Sequence, residues 1–236
     1  MTTHWSVVVA AGHQGNAQAG AALAALCRSC WFPLYVYVRR RGYRPQDAED
    51  LTQAFFARLL ERHWLARADQ AKGRFRTFLL TALERFLANE WDKDCARKRG
   101  GGVPPVPVQL DEAETRYGVE PQDDRTPEQA FEYHWALALL DGVVKRLGRE
   151  FREQGQEAQF DVLKPCLTGE SEGQPYATLA AQLGQSEGAV KVAVHRLRQR
   201  YREVLRAEIA ETVASAQEVD AEMRHLLNVL TRPRHD

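Results

Sequence analysis

Residues 176–206 have the sequence YATLAAQLGQSEGAVKVAVHRLRQRYREVLR, and this stretch decides the fold of the second half of the chain. It contains a short helical segment that ends at Leu183, a tight turn, and a longer helical segment. Ser186 suits the N-cap of the longer helix, because its hydroxyl can accept a hydrogen bond from a free backbone N–H. Ala189 stands where a complete capping box would have Glu or Gln. The stretch predicts a helix-turn-helix.

The longer helix of this motif has two different faces. Apolar residues recur at helical spacing and should face a core: Val190, Val194, Leu197, Tyr201 and Leu205. A neighbouring stripe should face outward: Lys191, His195, Arg198 and Arg202. Between Gly188 and Arg206, six basic residues accompany one acidic residue. Such a face suits DNA phosphates and guanine edges, although ordinary amphipathic helices also have solvated basic faces.

The first hundred residues also follow a helical pattern. Residues 17–41 predict a helix that Pro33 should kink or split. Pro45 suits the first turn of a second helix, and a third helix should begin near Gly73. The apolar stripe of the third helix consists of Phe75, Phe78, Leu79, Ala82, Leu83, Phe86 and Leu87. Strand-type alternation is rare, so we expect an all-α protein.

The length of 236 residues suggests two compact domains with additional segments. The glycines of residues 100–102 are followed by Pro104, Pro105 and Pro107 and then by an acidic stretch, which predicts a linker over residues 101–126. The linker would join a first helical domain, residues 17–100, to a second, residues 127–210, that contains the helix-turn-helix. Residues 211–236 are expected to form a C-terminal helical extension, whose apolar face should pack on the chain itself.

The distribution of charge and the targeting signals indicate which partners and which compartment the protein could have. The formal net charge is zero, but residues 109–132 contain eight acidic and two basic residues. The basic residues of the helix-turn-helix are thus separated along the chain from an acidic segment, which suggests a basic surface for phosphates. No signal peptide or membrane span is recognisable. We therefore expect a cytoplasmic protein with reduced cysteines and no membrane insertion.

Catalytic and metal-binding signatures are absent from the sequence. It has no Gly-rich phosphate loop, nucleophile elbow or paired-His metal motif, so we predict neither an enzyme nor a cofactor. Cys27 and Cys30 have the spacing of half a zinc site. A structural zinc ion needs four ligands, and no second pair completes this one. Packing of Cys30 on a helix face is the simpler interpretation, and we predict no metal.

Residues 47–56 combine features that suit a protein partner. Acidic residues lie in the first turns of the predicted second helix, although complementing the positive helix end would explain them equally well. Phe55 and Phe56 are adjacent. Neighbouring residues on a helix point in different directions, so one of the two rings is expected at a surface.

Residues 85–99 mix Trp91 and Asn89 with several basic residues. Aromatic and basic side chains together suit unpaired bases and their backbone. A solvated helix end, whose basic residues complement the helix dipole, explains the same composition.

Three segments, in this order, resemble RNA polymerase sigma factors of the extracytoplasmic-function type, group IV of the sigma-70 family. Residues 47–56 are similar to the family's segment that docks on core polymerase, and residues 73–99 to the helices that engage the −10 element. Residues 176–200 are similar to its −35-binding helix-turn-helix. The resemblance extends over about residues 20–210.

The resemblance implies a function and partners. The protein would bind core RNA polymerase and promoter DNA and direct promoter-specific transcription initiation. It would recognise the −10 and −35 elements and assist promoter melting by capturing unpaired bases. An anti-sigma factor or a regulatory kinase is left open as a further partner.

The resemblance also implies roles for three groups of residues. Core-polymerase binding would involve Asp47, Glu49, Asp50, Gln53 and Phe56. Binding near the −10 element would involve Asn89, Trp91, Lys93, Arg97 and Lys98. Binding of the −35 duplex would involve Lys191, His195, Arg196, Arg198 and Arg200. Ala54 departs from the family pattern, which often has Glu at this position.

Two other functions remain open from the sequence. One is a DNA-binding regulator that recruits or blocks polymerase without replacing its sigma subunit, which would explain the helix-turn-helix but not the first domain. The other is an interaction protein, such as a sigma antagonist that has lost DNA binding. Transcription with purified core polymerase separates the first from a sigma factor. Promoter binding after Lys191 and Arg198 are replaced by Glu separates the second.

Overall fold

The computed structural model describes residues 17–61, 73–97, 110–119, 124–168 and 176–232. These ranges contain α-helices, one 3-10 helix and turns, and no strand. The prediction of an all-α protein is therefore confirmed.

The helices of the described ranges are numbered here in chain order. The first five are α1 (Ala17–Arg40), α2 (Pro45–Glu61), α3 (Phe75–Arg97), α4 (Leu110–Val119) and α5 (Pro127–Glu153). The next four are α6 (Glu157–Leu163), α7 (Pro165–Thr168), α8 (Tyr176–Leu183) and α9 (Glu187–Ala210). A 3-10 helix at Ala216–Glu218 precedes α10 (Val219–Thr231).

The chain divides into two compact units. The first unit contains the described residues up to Ala138 and those from Ala210 onward, and the second contains those from Leu139 to Ile209. The C-terminal extension is thus part of the first unit, and the second unit lies between two segments of the first in chain order. The domain bounds predicted from the sequence remain predictions.

Helices α1 to α3 supply most of the first unit's core. The predicted stripe of α3 is buried at Phe75, Leu79 and Phe86, because it follows the 3.6-residue period of the helix. Helix α1 continues through Pro33 without being split. The residues that follow Pro33 are almost fully buried, and their packing offsets the backbone hydrogen bond that proline cannot donate.

The expectation for Phe55 and Phe56 was wrong. Both rings are buried, with exposed fractions of 1% and 6%. The Phe55 ring lies 5.7 Å from that of Phe86 on α3 and 5.6 Å from that of Phe56. Helix α2 packs on α1, α3 and α4, so two positions that point in different directions are both covered.

A helix lies within residues 101–126, where the sequence predicts a linker. Helix α4 packs on α1 through Glu114, which accepts hydrogen bonds from the Tyr35 hydroxyl and from Arg39 Nε, both at 3.1 Å. Arg116 lies over the Phe32 ring at 4.0 Å. These tertiary contacts stabilise a helix too short to persist alone. Residues 101–109 and 120–123 lie outside the described residues.

The C-terminal segment completes the first unit. Val219, Leu226 and Glu222 are buried, and Thr212 accepts a backbone hydrogen bond from Phe75 at 3.1 Å. This confirms the prediction that the extension packs on the chain itself. Residues 233–236 lie outside the described residues.

Glu222 binds two arginines at the start of α3. Its carboxylate lies 2.8 Å from Arg76 Nε and 2.9 Å from Arg74 Nε. Arg76 also binds Glu132 on α5. Arg76 is 5% exposed and Glu222 2%, so we call these four residues the buried charge cluster. Burial alone would lower the pKa of Arg76, but its two carboxylate partners raise it.

The second unit has a separate apolar core. Helices α5 to α9 contribute buried side chains that include Leu147, Phe160, Leu179, Val194 and Leu197. A side-chain atom of Phe160 would lie 3.1 Å from a Cβ added at Gly148. The absence of a side chain at Gly148 thus lets α6 approach α5 closely.

Within the described ranges, no helix combines the length and the apolar composition that a membrane crossing requires.

Candidate functional site

The turn of the helix-turn-helix is fixed by Gly184 and Ser186. Gly184 has a φ of +61°, a left-handed conformation that costs glycine little. The amide of Gln185 donates to the Ala180 carbonyl and that of Gly184 to the Ala181 carbonyl, which is the Schellman ending of a helix. The Ser186 hydroxyl then accepts a hydrogen bond from the Ala189 amide at 3.2 Å. Both halves of the turn therefore follow from local sequence.

Helix α9 is held to its unit by one apolar face. Val190, Val194 and Leu197 are at most 1% exposed, and Tyr201 and Leu205 are partly buried against the same core. The predicted division of the helix into a core face and a solvent face is confirmed.

The five residues predicted to bind the −35 duplex are all exposed on α9. Arg198 donates to the Cys166 carbonyl through Nε at 3.3 Å and Nη2 at 3.1 Å. Lys191 Nζ lies 5.7 Å from the centre of the Tyr176 ring. His195 and Arg196 make no hydrogen bond or ion pair with the described part of the chain. All five residues thus lie on one helix. Arg198 is hydrogen-bonded to another part of the protein, whereas His195 and Arg196 have no such bond with the described residues.

Arg200 belongs to a surface network that braces α9 against α5. Its guanidinium donates to both oxygens of Glu150, at 2.9 and 3.1 Å, and to Glu203 at 3.1 Å. Arg146 joins Glu150 to Glu208, with an Arg146 Nη1 to Glu208 Oε1 distance of 2.8 Å. We call these five residues the surface charge network; Glu208 is its buried member, at 3% exposed. Arg200 thus has a structural role that sequence reasoning missed, since Glu150 lies 50 residues away.

The pKa of Glu150 reports on this network. Burial raises the pKa of its carboxyl, but the hydrogen bonds and charges of Arg200 and Arg146 outweigh burial, and the net shift is downward. Glu150 is therefore held in its charged form in the folded unit.

The residues predicted to bind core polymerase divide between the surface and the interior of α2. Asp47 and Asp50 are exposed, and Gln53 is half-buried. Glu49 and Phe56 are only 7% and 6% exposed. Ala54 lies on the exposed side with the two aspartates. The accessible acidic surface on α2 therefore consists of Asp47 and Asp50, with Gln53 at its edge.

Glu49 is a buried carboxylate for which no arginine or lysine partner occurs among the described residues. Gln53 Nε2 donates to it at 2.9 Å. Burial raises the pKa of Glu49, the neighbouring charge of Asp50 raises it further, and the Gln53 hydrogen bond opposes both effects. A shifted carboxyl beside an exposed acidic surface is a feature common at functional sites.

The predicted −10 group lies mostly outside the described side chains. Asn89 is exposed on α3. Trp91, Lys93 and Arg97 lie in the last turns of α3, but their side chains are outside the described residues, as is all of Lys98.

The cysteines whose side chains the structure describes are partly buried at Cys27 and buried at Cys30 and Cys166. Cys30 is fully buried, and burial raises its pKa strongly, as expected for packing on a helix face. Burial also raises the pKa of Cys27 to about 11. Among the described residues, no group of three or more His, Cys, Asp or Glu side chains is arranged to hold a metal ion.

These features define an all-α chain with exposed aspartates on α2 and a helix-turn-helix whose exposed face is basic. Residues 33–94 match the family described as Sigma-70 region 2. This match contains the last two turns of α1, all of α2 and most of α3.

The chain is also similar to a characterised protein, the ECF RNA polymerase sigma factor SigE of Mycolicibacterium smegmatis. The two are 28% identical over 183 residues, which is 76% of this chain and 61% of the relative's length. No solved structure matches the chain significantly. The family match and the relative confirm the resemblance to extracytoplasmic-function sigma-70 factors.

Proposed function

We propose that this protein binds core RNA polymerase and directs transcription initiation at promoters, as a sigma factor without catalytic chemistry of its own. The observation that supports the proposal most is the presence of two modules in one chain. The first unit contains the sigma-70 region 2 match at residues 33–94. The second contains a helix-turn-helix with an exposed basic face. A DNA-binding regulator would require only the second module.

In this proposal the first unit docks on polymerase through the acidic surface of α2. Asp47 and Asp50 are exposed and suit a basic partner. Glu49 and Phe56 are buried, so we assign them to supporting this surface from inside. Asn89 and the last turns of α3 would bind the −10 element as its bases unpair. The energy of melting would come from holding those bases, as in other proteins that bind extruded bases.

The second unit would bind the −35 duplex through α9. Recognition helices of this motif enter the major groove with their N-terminal turns; here Lys191 lies in the second turn of α9 and His195 and Arg196 in the third. Arg198 and Arg200 already bind protein groups, so we assign them mainly to fixing the position of α9. Binding should weaken steeply with salt, because each neutralised phosphate releases counterions.

Run-off transcription with purified core polymerase tests the function as a whole. The full chain should give a promoter-dependent transcript when no other sigma factor is present. If transcript appears only after a second sigma factor is added, the protein is a regulator and the proposal fails. If no condition gives a transcript while the chain still binds core polymerase, it is an antagonist.

Two sets of variants test which unit binds core polymerase and which binds the promoter. Asp47→Arg with Asp50→Arg should abolish co-purification with core polymerase, whereas Asp141→Arg, an exposed position on α5, should not. Lys191→Glu with Arg196→Glu should lower the affinity for a promoter fragment more than tenfold. Arg149→Glu with Lys164→Glu changes the charge equally at two exposed positions outside α9 and should have little effect. Equal loss in both pairs would remove α9 from the duplex contact.

A further inference from the structure

The solvent-facing side of α9 has an apolar residue at its centre. A helix turns about 100° per residue, so the direction opposite Val190 and Val194 coincides with Val192. Gly188 lies one turn earlier, about 40° to one side, and Arg196 one turn later, about 40° to the other side, and all three are exposed. Lys191 and Arg198 lie farther round on the Gly188 side, and Arg200 farther round on the Arg196 side. Over the first two turns, the middle of the proposed DNA-binding face is therefore occupied by Gly188 and Val192 and not by a cation.

Val192 stands out on this side of the helix. It is 50% exposed, and Val192 and Leu227 are the two large apolar side chains that are exposed in the described ranges. A β-branched residue gives a helix less stability than alanine or lysine would. At Val192 this loss is not offset by burial in the described part of the chain. A contact made only in a complex would account for its presence.

The surroundings of Val192 leave room for a close approach. Gly188 lies one turn earlier on the same side, and a Cβ added there would meet only the Ser186 hydroxyl, at 4.0 Å. No side chain therefore rises between Val192 and the start of the helix. The proposed contact lies within the first two turns of α9, which is the part of a recognition helix that reaches base edges.

Major-groove chemistry selects the base that would meet this side chain. Guanine, adenine and cytosine present polar hydrogen-bonding groups there, whereas thymine also presents a 5-methyl group. An apolar side chain gains most from the methyl group, because both lose water-exposed apolar surface. Lys191 and Arg196, which lie on opposite sides of Val192, can hold the two phosphate backbones and so direct Val192 at the base edges.

We propose that Val192 is a specificity-determining residue that packs against the 5-methyl group of one thymine in the duplex bound by the helix-turn-helix. This inference rests on the proposed function, because it requires that α9 enter a major groove. The contact would give the helix-turn-helix a preference for thymine at one base pair. This preference would come from the methyl group of thymine and would not depend on a hydrogen bond.

Base analogues test the methyl contact directly. The preferred duplex is first selected from random sequences with the full chain bound to core polymerase. Each thymine of its −35 element, which we call the −35 half-site, is then replaced in turn by deoxyuridine. One replacement should weaken wild-type binding about threefold to tenfold, as expected for a single buried methyl group. The variant V192A should bind the thymine duplex more weakly by a similar factor and should be insensitive to the deoxyuridine replacement.

A second analogue separates the methyl group from the base pair. At the same position, 5-methylcytosine should be bound better than cytosine by the wild type and no better by V192A. The matched control is L227A, which truncates the other exposed apolar side chain and should keep full sensitivity to both analogues.

The outcomes distinguish this inference from the proposed function. If the selected duplex has no thymine in the −35 half-site, or if V192A responds to deoxyuridine as the wild type does, the methyl contact is wrong. The role of α9 in DNA binding then still stands on the Lys191 and Arg196 variants. If those variants bind as the wild type does, the proposed function of the second unit fails, and this inference fails with it.

Discussion

The two units use the same charged side chains in opposite surroundings. The buried charge cluster of the first unit centres on Arg76 and Glu222, whose side chains are 6% and 2% exposed, and Arg74 and Glu132 form its partly exposed edge. The surface charge network of the second unit centres on Arg200 and Glu150, whose side chains are 46% and 23% exposed. Loss of Arg76 or Glu222 leaves a buried charge, whereas water can replace the lost partner when Arg200 and Glu150 are separated. The buried charge cluster joins α10 to the rest of the first unit, and the surface charge network holds α9 against α5 in the second unit.

The largest expected effect comes from removing the C-terminal segment. Deleting residues 214–236 takes away the buried Val219 and Leu226 and leaves Arg76 without Glu222. We expect the first unit to lose more than about 5 kcal/mol, since apolar burial and charge pairing are lost together. Amide hydrogen exchange of α3 should become fast, while α8 and α9 keep their protection. Unchanged protection of α3 would contradict the assignment of this segment to the first unit.

A single substitution in the buried charge cluster should come next. E222Q preserves the shape of the side chain but removes the negative charge that faces two arginines. We expect a loss of about 3–5 kcal/mol, the range for a buried pair that loses one partner. The loss is measured from the thermal unfolding midpoint and, separately, from amide hydrogen exchange of α3 and α10 in the native state. D220N, at an exposed position on the same helix, should change the stability by less than about 0.5 kcal/mol.

The surface charge network should respond more weakly and with a defined pH dependence. E150Q should lower the stability of the second unit by about 0.5–1 kcal/mol at neutral pH. The pKa of Glu150 is lowered in the folded unit, so its contribution is present above the unfolded pKa and is lost as the pH falls through the folded pKa. The difference between E150Q and the wild type should therefore disappear in strongly acidic solution. A difference that stays constant with pH would show that shape, and not charge, is responsible.

Glu49 should give the smallest effect, with the opposite sign. Its pKa is raised in the folded state, so its contribution to stability is largest below the unfolded pKa and is lost as the pH rises through the folded pKa. E49Q should stabilise the first unit by about a few tenths of a kcal/mol at neutral pH, provided that the hydrogen bond with Gln53 is kept. The unfolding midpoints of E49Q and of the wild type are compared at neutral and at acidic pH. If the two proteins are equally stable at both pH values, burial does not raise the pKa of Glu49 enough to affect stability. If E49Q also weakens binding to core polymerase, the carboxylate supports function at the expense of stability.

Local patterns were sufficient to predict much of the second unit. Gly184 and Ser186 lie within a few residues of the backbone groups that they satisfy, so the turn could be predicted from the sequence. The core face of α9 follows from its period, as does the stripe of α3. The sequence could not specify which of the exposed basic residues also bind protein groups, because Arg200 meets Glu150 only after α5 and α9 pack together.

The predictions that failed depend on contacts distant in sequence. Burial of both Phe55 and Phe56 requires packing partners on more than one side of α2, which the pattern of one helix does not contain. Helix α4 was missed because its short acidic sequence is stabilised by Tyr35 and Arg39, which lie 79 and 75 residues from Glu114. Glu222 looks like an ordinary solvated residue in the sequence, and its pairing with Arg76 spans 146 residues.

The position of α10 in the chain has a consequence for protein synthesis. Arg76 emerges from the ribosome long before Glu222, since 146 residues separate them. The first unit, which we propose to bind polymerase, therefore cannot reach its final fold until Glu222 has been translated, after the whole of the helix-turn-helix. A prematurely terminated chain would contain the helix-turn-helix but only an incomplete polymerase-binding unit. Such fragments would be poor competitors for core enzyme, because Arg76 would lack its Glu222 partner.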